Sequence, residues 1–131
     1  MAKILISPSK YLQGAGEMKK IGTYASNCGK KALVLISKGG HKRIGAEIFA
    51  ESTCEVVFDY FNGECCNSEI DRLVNIVKEN QCDLVIGIGG GKIFDTAKAV
   101  AYYAGTPVFI CPTIASTDAP CSALSVVYTE E

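Results

Sequence analysis

The segment whose residue types and spacing point most directly to chemistry is Gly87-Ile88-Gly89-Gly90-Gly91-Lys92. It follows the apolar run Leu84-Val85-Ile86 and opens a helical pattern, so the loop joins a strand to a helix. Glycines let a backbone approach a ligand closely and adopt positive φ. The first N–H groups of the following helix have no intrahelical acceptor and lie at the positive end of its dipole. Such a place suits a phosphate, and Lys92 adds a mobile cation there. Two common fingerprints do not fit. A G-x-G-x-x-G motif begun at Gly87 needs glycine where Lys92 stands, and begun at Gly89 it needs glycine where Phe94 stands. A P-loop needs Ser or Thr where Ile93 stands and glycine where Ile86 stands. The plainer alternative is a tight turn that uses glycine for packing alone.

Asp95 is expected in the first turn of that helix, either as a partner for the dipole or as a direct ligand. Lys98 reads as a solvated helix residue. A second polar segment, Pro112-Thr113-Ile114-Ala115-Ser116-Thr117-Asp118-Ala119-Pro120-Cys121-Ser122, leaves the end of another predicted strand. Ligands of open α/β sheets bind outside the carboxyl ends of the strands. The hydroxyls and single carboxylate of this segment suit a polyol or a ribose phosphate, or form an ordinary loop. The seven cysteines include no C-x-x-C pair, and His41 is the only histidine, so these residues predict no zinc site. Cys54 and Cys111 read as small buried hydrophobes. The adjacent Cys65-Cys66 is the pair whose reactivity merits a test.

These groups sit in 131 residues, one domain's worth of chain. Thirteen basic residues against 14 acidic ones leave a net charge of −1, without the positive footprint of a nucleic-acid binder. With 48% of residues hydrophobic, a core is affordable and disorder is not expected. No apolar run approaches the ~20 residues of a membrane span. Residues 1–10 lack the apolar region of a secretory signal, so the expected location is cytoplasmic.

The elements alternate. Ile4-Leu5-Ile6 reads as a first strand. From Gly16 a helix follows with Met18, Ile21, Ala25 and Cys28 on one face, and Gly29 stands where a left-handed C′ residue belongs. Ala32 to Ile36 has no polar alternation, which predicts a strand buried on both faces. A second helix carries Ile44 and Ile48, and a third strand surrounds Val56-Val57-Phe58. Ser68 and Asp71 resemble a capping box ahead of the stripe Ile70, Leu73, Val74, Val77. After the strand at 84–86 comes a helix from about Gly91, closed by Gly105-Thr106-Pro107, then a fifth strand at 108–111. This order predicts an α/β fold: an open, mostly parallel, Rossmann-like sheet with helices on both faces. Residues 122–129 read as a half-exposed strand. The end at Glu131 reads as a truncation inside a longer protein, expected to expose apolar surface and promote association.

Taken together, Gly89-Gly90-Gly91-Lys92-x-x-Asp95-Thr96-Ala97-Lys98-Ala99 and the 112–125 segment closely resemble glycerol dehydrogenases of the iron-containing alcohol dehydrogenase superfamily. Ser7-Pro8-x-Lys10-Tyr11-x-Gln13-Gly14-Ala15 and Gly63-Glu64-Cys65 are similar to that family too. The resemblance implies that residues 1–131 form an N-terminal NAD-binding domain preceding a helical domain that binds zinc, or iron in relatives. It implies NAD-dependent oxidation of glycerol to dihydroxyacetone, with homo-oligomers in the full-length enzyme. By the same carry-over, Gly90, Gly91 and Lys92 cradle the pyrophosphate, with Asp95 among the cofactor residues. Thr113 and Ser116 line the cofactor, Ser122, Leu124 and Tyr128 border the nicotinamide, and Asp118 contacts glycerol.

Two departures stand out. The metal ligands implied by the resemblance, one Asp and two His of the helical domain, are not supplied by a chain whose only histidine is His41. Ser37 occupies the place where the family usually has an acidic residue for the adenosine ribose. Beside Lys38, Lys42 and Arg43, it either weakens discrimination against a 2′-phosphorylated cofactor or is an ordinary loop residue. Two other readings stay open: a stand-alone nucleotide-binding or regulatory module without redox activity, and an enzyme for a larger diol or phosphorylated sugar.

Overall fold

In the computed structural model, residues 17–44 and 46–112 are described. The strands expected at 4–6 and 122–129 lie outside them. A 3₁₀ turn, Glu17–Lys20, leads into α1 (Ile21–Cys28), followed by β1 (Lys31–Ile36), α2 (Lys38–Ile44), a 3₁₀ turn Ala46–Phe49, and β2 (Glu55–Tyr60). Then come α3 (Asn67–Glu79), β3 (Leu84–Gly89), α4 (Gly91–Ala104) and β4 (Val108–Pro112). All strand pairs are parallel, in the order β2-β1-β3-β4. No helix among the described residues is long and apolar enough to cross a membrane.

Alternation along the two inner strands builds two cores. Leu33 and Leu35 of β1 and Val85 of β3 point towards α3 and α4, meeting Ile70, Leu73, Val77, Phe94 and Val100. Ala32, Val34 and Ile36, with Leu84, Ile86 and Ile88, face the other way onto Ile21, Ala25 and Phe49. Both strands are therefore covered on both faces, as their unbroken apolar runs predict. The amphipathic stripes of α3 and α4 settle onto one side of the sheet, and α1 and the second 3₁₀ turn onto the other.

Three local expectations are corrected. Gly29 is extended, at φ −164°, and not left-handed. A Cβ there would lie 2.5 Å from Asp83 Oδ1, so glycine serves the close approach of that carboxylate. Asp83 accepts hydrogen bonds from the N–H groups of Lys30 and Lys31 and pins the start of β1 against β3. The expected second helix is divided into α2 and the 3₁₀ turn, with Gly45 between them in the sequence. Glycine is among the poorest residues for a helix interior. The capping box is absent, because α3 begins at Asn67 after an N-cap at Cys66 that makes no side-chain cap bond. The loop entering α3 is anchored instead by Glu69, whose buried carboxylate accepts from the Asn62 N–H at 2.9 Å and from Arg72 Nε at 2.6 Å.

Four of the cysteines are core residues, whereas Cys28 is exposed. Cys54, Cys65, Cys66 and Cys82 are buried, and burial pushes the thiols of Cys54, Cys65 and Cys82 up. A raised thiol holds less of the nucleophilic thiolate at neutral pH. Cys111 is partly exposed at the end of β4, with its thiol raised to about 12 by desolvation.

The backbone hydrogen bonds to Asp83 hold its carboxyl below the usual range. A group depressed in the folded state adds stability above its unfolded pKa of about 3.9 and loses it as pH falls through the folded value. Asp83→Asn is expected to be less stable than the parent at pH 7, with the difference shrinking as pH drops below about 4. Chemical denaturation of both proteins from pH 7 to pH 2 checks this, and a difference independent of pH contradicts it.

Candidate functional site at the carboxyl edge of the sheet

The chain leaves β1 in one direction to form β2 and later adds β3 on the other side of β1. This makes a switch point between β1 and β3, where the loops after the two strands diverge and open a crevice. Register aligns the strand ends: Ile36 pairs with Tyr60 on one side and Ile88 on the other, and Gly89 pairs with Pro112. The edge therefore carries Ser37 after β1, Gly90 after β3, Tyr60 at the end of β2 and Pro112 at the end of β4.

Glycine geometry brings a helix terminus to that edge. At Gly87 a Cβ would lie 2.9 Å from Ala97 Cβ, so α4 presses against β3 more closely than a side chain permits. Gly89 has φ +149°, and a Cβ there would meet Ile93 Cδ1 at 2.7 Å. Gly90 is the N-cap, with φ −117°, and a Cβ on it would have no atom of the described residues within 4 Å. Its carbonyl accepts the first helical bond from Phe94 N–H at 3.1 Å. The N–H groups of Gly91 and Ile93 belong to the opening turn, whose donors have no acceptor within the helix. The space beside Gly90 and these donors together form a cradle fitted to an anion.

Lys92 is at the same terminus, and its ammonium donates to Glu64 Oε1 at 2.7 Å. Glu64 lies in the β2–α3 loop beside Gly63, which has φ +113°. The loop's position follows from Glu69, which is held by Arg72, itself bonded to Asp59 and the Tyr60 carbonyl. These hydrogen bonds keep the Arg72 guanidinium firmly protonated, Glu69 contributing most.

Gly90, Gly91 and Lys92 thus stand where expected. Asp95 does not: it falls in the second turn of α4, and its carboxylate is 3.5 Å from Lys98 Nζ. Lys98 is not solvated, since its side chain is only 10% exposed and that of Asp95 13%. Spacing of three along a helix joins the pair away from the cradle. Thr113, Ser116, Asp118, Ser122, Leu124 and Tyr128 lie outside the described residues.

Sequence reasoning missed the Glu64–Lys92 pair, whose partners are 28 positions apart. It also missed the joining of His41 to Tyr60, Nδ1 to Oη at 2.9 Å. Neither has a signal in local periodicity. Among the described residues, no three His, Cys, Asp or Glu side chains are grouped so as to hold a metal ion.

Fold and edge define the class: an α/β parallel-sheet unit with a ligand crevice at a switch point and an anion cradle beside it. The iron-containing alcohol dehydrogenase family model matches residues 8–131, and the chain belongs to that family. It is 47% identical over 134 aligned residues to a glycerol dehydrogenase of Escherichia coli, covering all of this chain and 36% of that protein. The crystal structure of a probable glycerol dehydrogenase from Sinorhizobium meliloti superposes with a TM-score of 0.87 at 45% identity, over 99% of this chain and 35% of that one. That of an NADH-dependent butanol dehydrogenase from Thermotoga maritima gives 0.76 at 25% identity, over 88% of this chain and 35% of that one. The chain spans about a third of the length of these relatives.

The open space at Gly90 separates binding from folding. Gly90→Ala is expected to change stability by less than about 1 kcal/mol while weakening binding of a diphosphate at the cradle at least tenfold, by placing a methyl group in it. Thermal melts and ligand titration of the variant test both halves. Glu64→Gln removes a surface ion pair worth up to ~1 kcal/mol. It is expected to tighten binding of a diphosphate by up to about fivefold, read from the same titration.

Proposed function

We propose that this chain holds the nicotinamide dinucleotide of a dehydrogenase that oxidises glycerol to dihydroxyacetone. The observation that carries the reading is the start of α4 at the switch point, with open space at Gly90 and opening-turn amides beside it. In this assignment Gly90, Gly91 and Lys92 hold the pyrophosphate, Lys92 turning from Glu64 as the diphosphate arrives. Thr113 and Ser116 line the cofactor, Ser122, Leu124 and Tyr128 border the nicotinamide, and Asp118 contacts the substrate. Asp95 is left out of the ligand set because Lys98 engages it one turn further along α4.

The role of these residues is to bind and orient. When bound, the cofactor would supply the redox chemistry as the hydride acceptor. Glycerol is supported as substrate by the similarity to the glycerol dehydrogenase of Escherichia coli and the probable glycerol dehydrogenase of Sinorhizobium meliloti, and a nicotinamide cofactor by the NADH-dependent neighbour. Residues 1–131 are taken as the cofactor-binding domain of a longer enzyme whose metal ligands lie in a helical domain. A separate regulatory module is not favoured, since the similarity to dehydrogenases runs the whole length of the chain.

Calorimetric titration of NADH into the chain tests the reading. Binding at one site is expected, with a dissociation constant within the ~1 µM to 1 mM range common to enzyme ligands, and Gly90→Ala should weaken it. Absence of binding at millimolar NADH, or binding indifferent to that substitution, overturns it.

A further inference from the structure

The cleft on the β1 and β2 side of the switch point is unlike the rest of a chain whose net charge is −1. It has a volume of about 240 Å³ and is lined by Lys38, His41, Lys42 and Tyr60. Lys38 Nζ lies 5.9 Å from the centre of the Tyr60 ring. His41 stacks on Phe58 with ring centroids 4.3 Å apart and joins the Tyr60 hydroxyl through Nδ1. Stacking and hydrogen bond together fix the imidazole, leaving Nε2 as its second polar atom. Among the described residues, no carboxylate pairs with Lys38 or Lys42. Arg43 is exposed at the end of α2 and does not line the cleft.

Ser37 follows β1 and directly precedes Lys38 of the cleft lining. Its Oγ accepts the Gly40 N–H at 2.9 Å, so the capping need at the start of α2 is met by the oxygen, and the hydroxyl hydrogen remains available to donate. A carboxylate at this position would only accept, and would repel a second anion.

We infer that the cleft of Lys38, His41, Lys42 and Tyr60, with Ser37 at its rim, takes the 2′-phosphate of a phosphorylated dinucleotide, making NADP(H) the preferred cofactor. The inference rests on the proposed function, because it is a pyrophosphate at the start of α4 that places an adenosine ribose near the end of β1. A dinucleotide lies across the switch-point crevice, so one half extends from Gly90 towards Ser37 and Tyr60. At the ribose, an acidic side chain selects the free 2′-hydroxyl and a cationic one accommodates the 2′-phosphate. Two ammonium groups, a serine hydroxyl and one further donor, either the Tyr60 O–H or the His41 Nε2–H according to which of the two donates in the bond they share, face a phosphate monoester, and charge-assisted bonds are the stronger kind.

The test compares NADPH with NADH, and 2′,5′-ADP with ADP, by calorimetry on the full chain. NADPH is expected to bind at least tenfold more tightly than NADH, and 2′,5′-ADP more tightly than ADP. The double substitution Lys38→Ala with Lys42→Ala should erase both preferences while leaving NADH affinity within about twofold. Ser37→Asp should reverse the preference, and circular dichroism confirms that each variant is folded. Equal or tighter binding of NADH by the parent chain overturns the inference and leaves the proposed function standing. Should neither dinucleotide bind while 2′,5′-ADP binds in a lysine-dependent way, the cradle assignment falls and the cleft assignment survives. If 2′,5′-ADP also fails to bind, both fall.

Discussion

The packing of α4 against β3 at Gly87 is the contact on which the site depends. A Cβ at that position would lie only 2.9 Å from Ala97 Cβ, so the helix sits closer to the strand than any side chain there would tolerate. That approach delivers the helix start to the sheet edge, where opening-turn amides and the positive end of the dipole act on one spot. Gly89 and Gly90 then complete the turn, one by its positive φ and the other by leaving space beside the cap. Gly87, Gly89 and Gly90 thus have distinct physical tasks, two for packing and turning and one for access.

Around this contact the rest of the sheet acts as a frame. β1 and β3 are buried on both faces, which commits their connections to crossing over the sheet and sets the switch point between them. Polar side chains fix both ends of that frame. Asp83 ties the beginning of β1, and the Arg72–Glu69–Asp59 group holds the loop bearing Glu64. Capping of α2 by Ser37 sets the direction in which Lys38, His41 and Lys42 leave β1. The two halves of the edge consequently differ in chemistry: backbone donors at α4, side-chain cations at α2.

That division explains how a chain of nearly balanced charge can favour anions locally. Lys31, Arg72, Lys92 and Lys98 are each within ion-pair distance of a carboxylate among the described residues, whereas Lys38 and Lys42 face a cleft without one. Net charge averages over such contrasts, so it excludes a broad polyanion surface yet says nothing about a single phosphate site.

Much of this was legible from residue order alone. Unbroken apolar runs marked β1 and β3 as doubly buried, the i, i+3, i+4, i+7 stripe marked α3, and the glycine run marked the start of α4, because each depends on neighbours within a few residues. Gly29, Lys98, Glu64 and Tyr60 were different. The extended backbone at Gly29 answers to Asp83, 54 positions away in the chain; Lys98 is buried by the fold around α4; Glu64 meets Lys92 only once α3 and α4 lie side by side. The meeting of Tyr60 with His41 likewise required β2 to pair with β1. Local propensity and periodicity carry no term for such distant partners, so sequence determined the elements and the anion-binding turn, and tertiary packing alone decided which charges were paired and which were left facing the crevice.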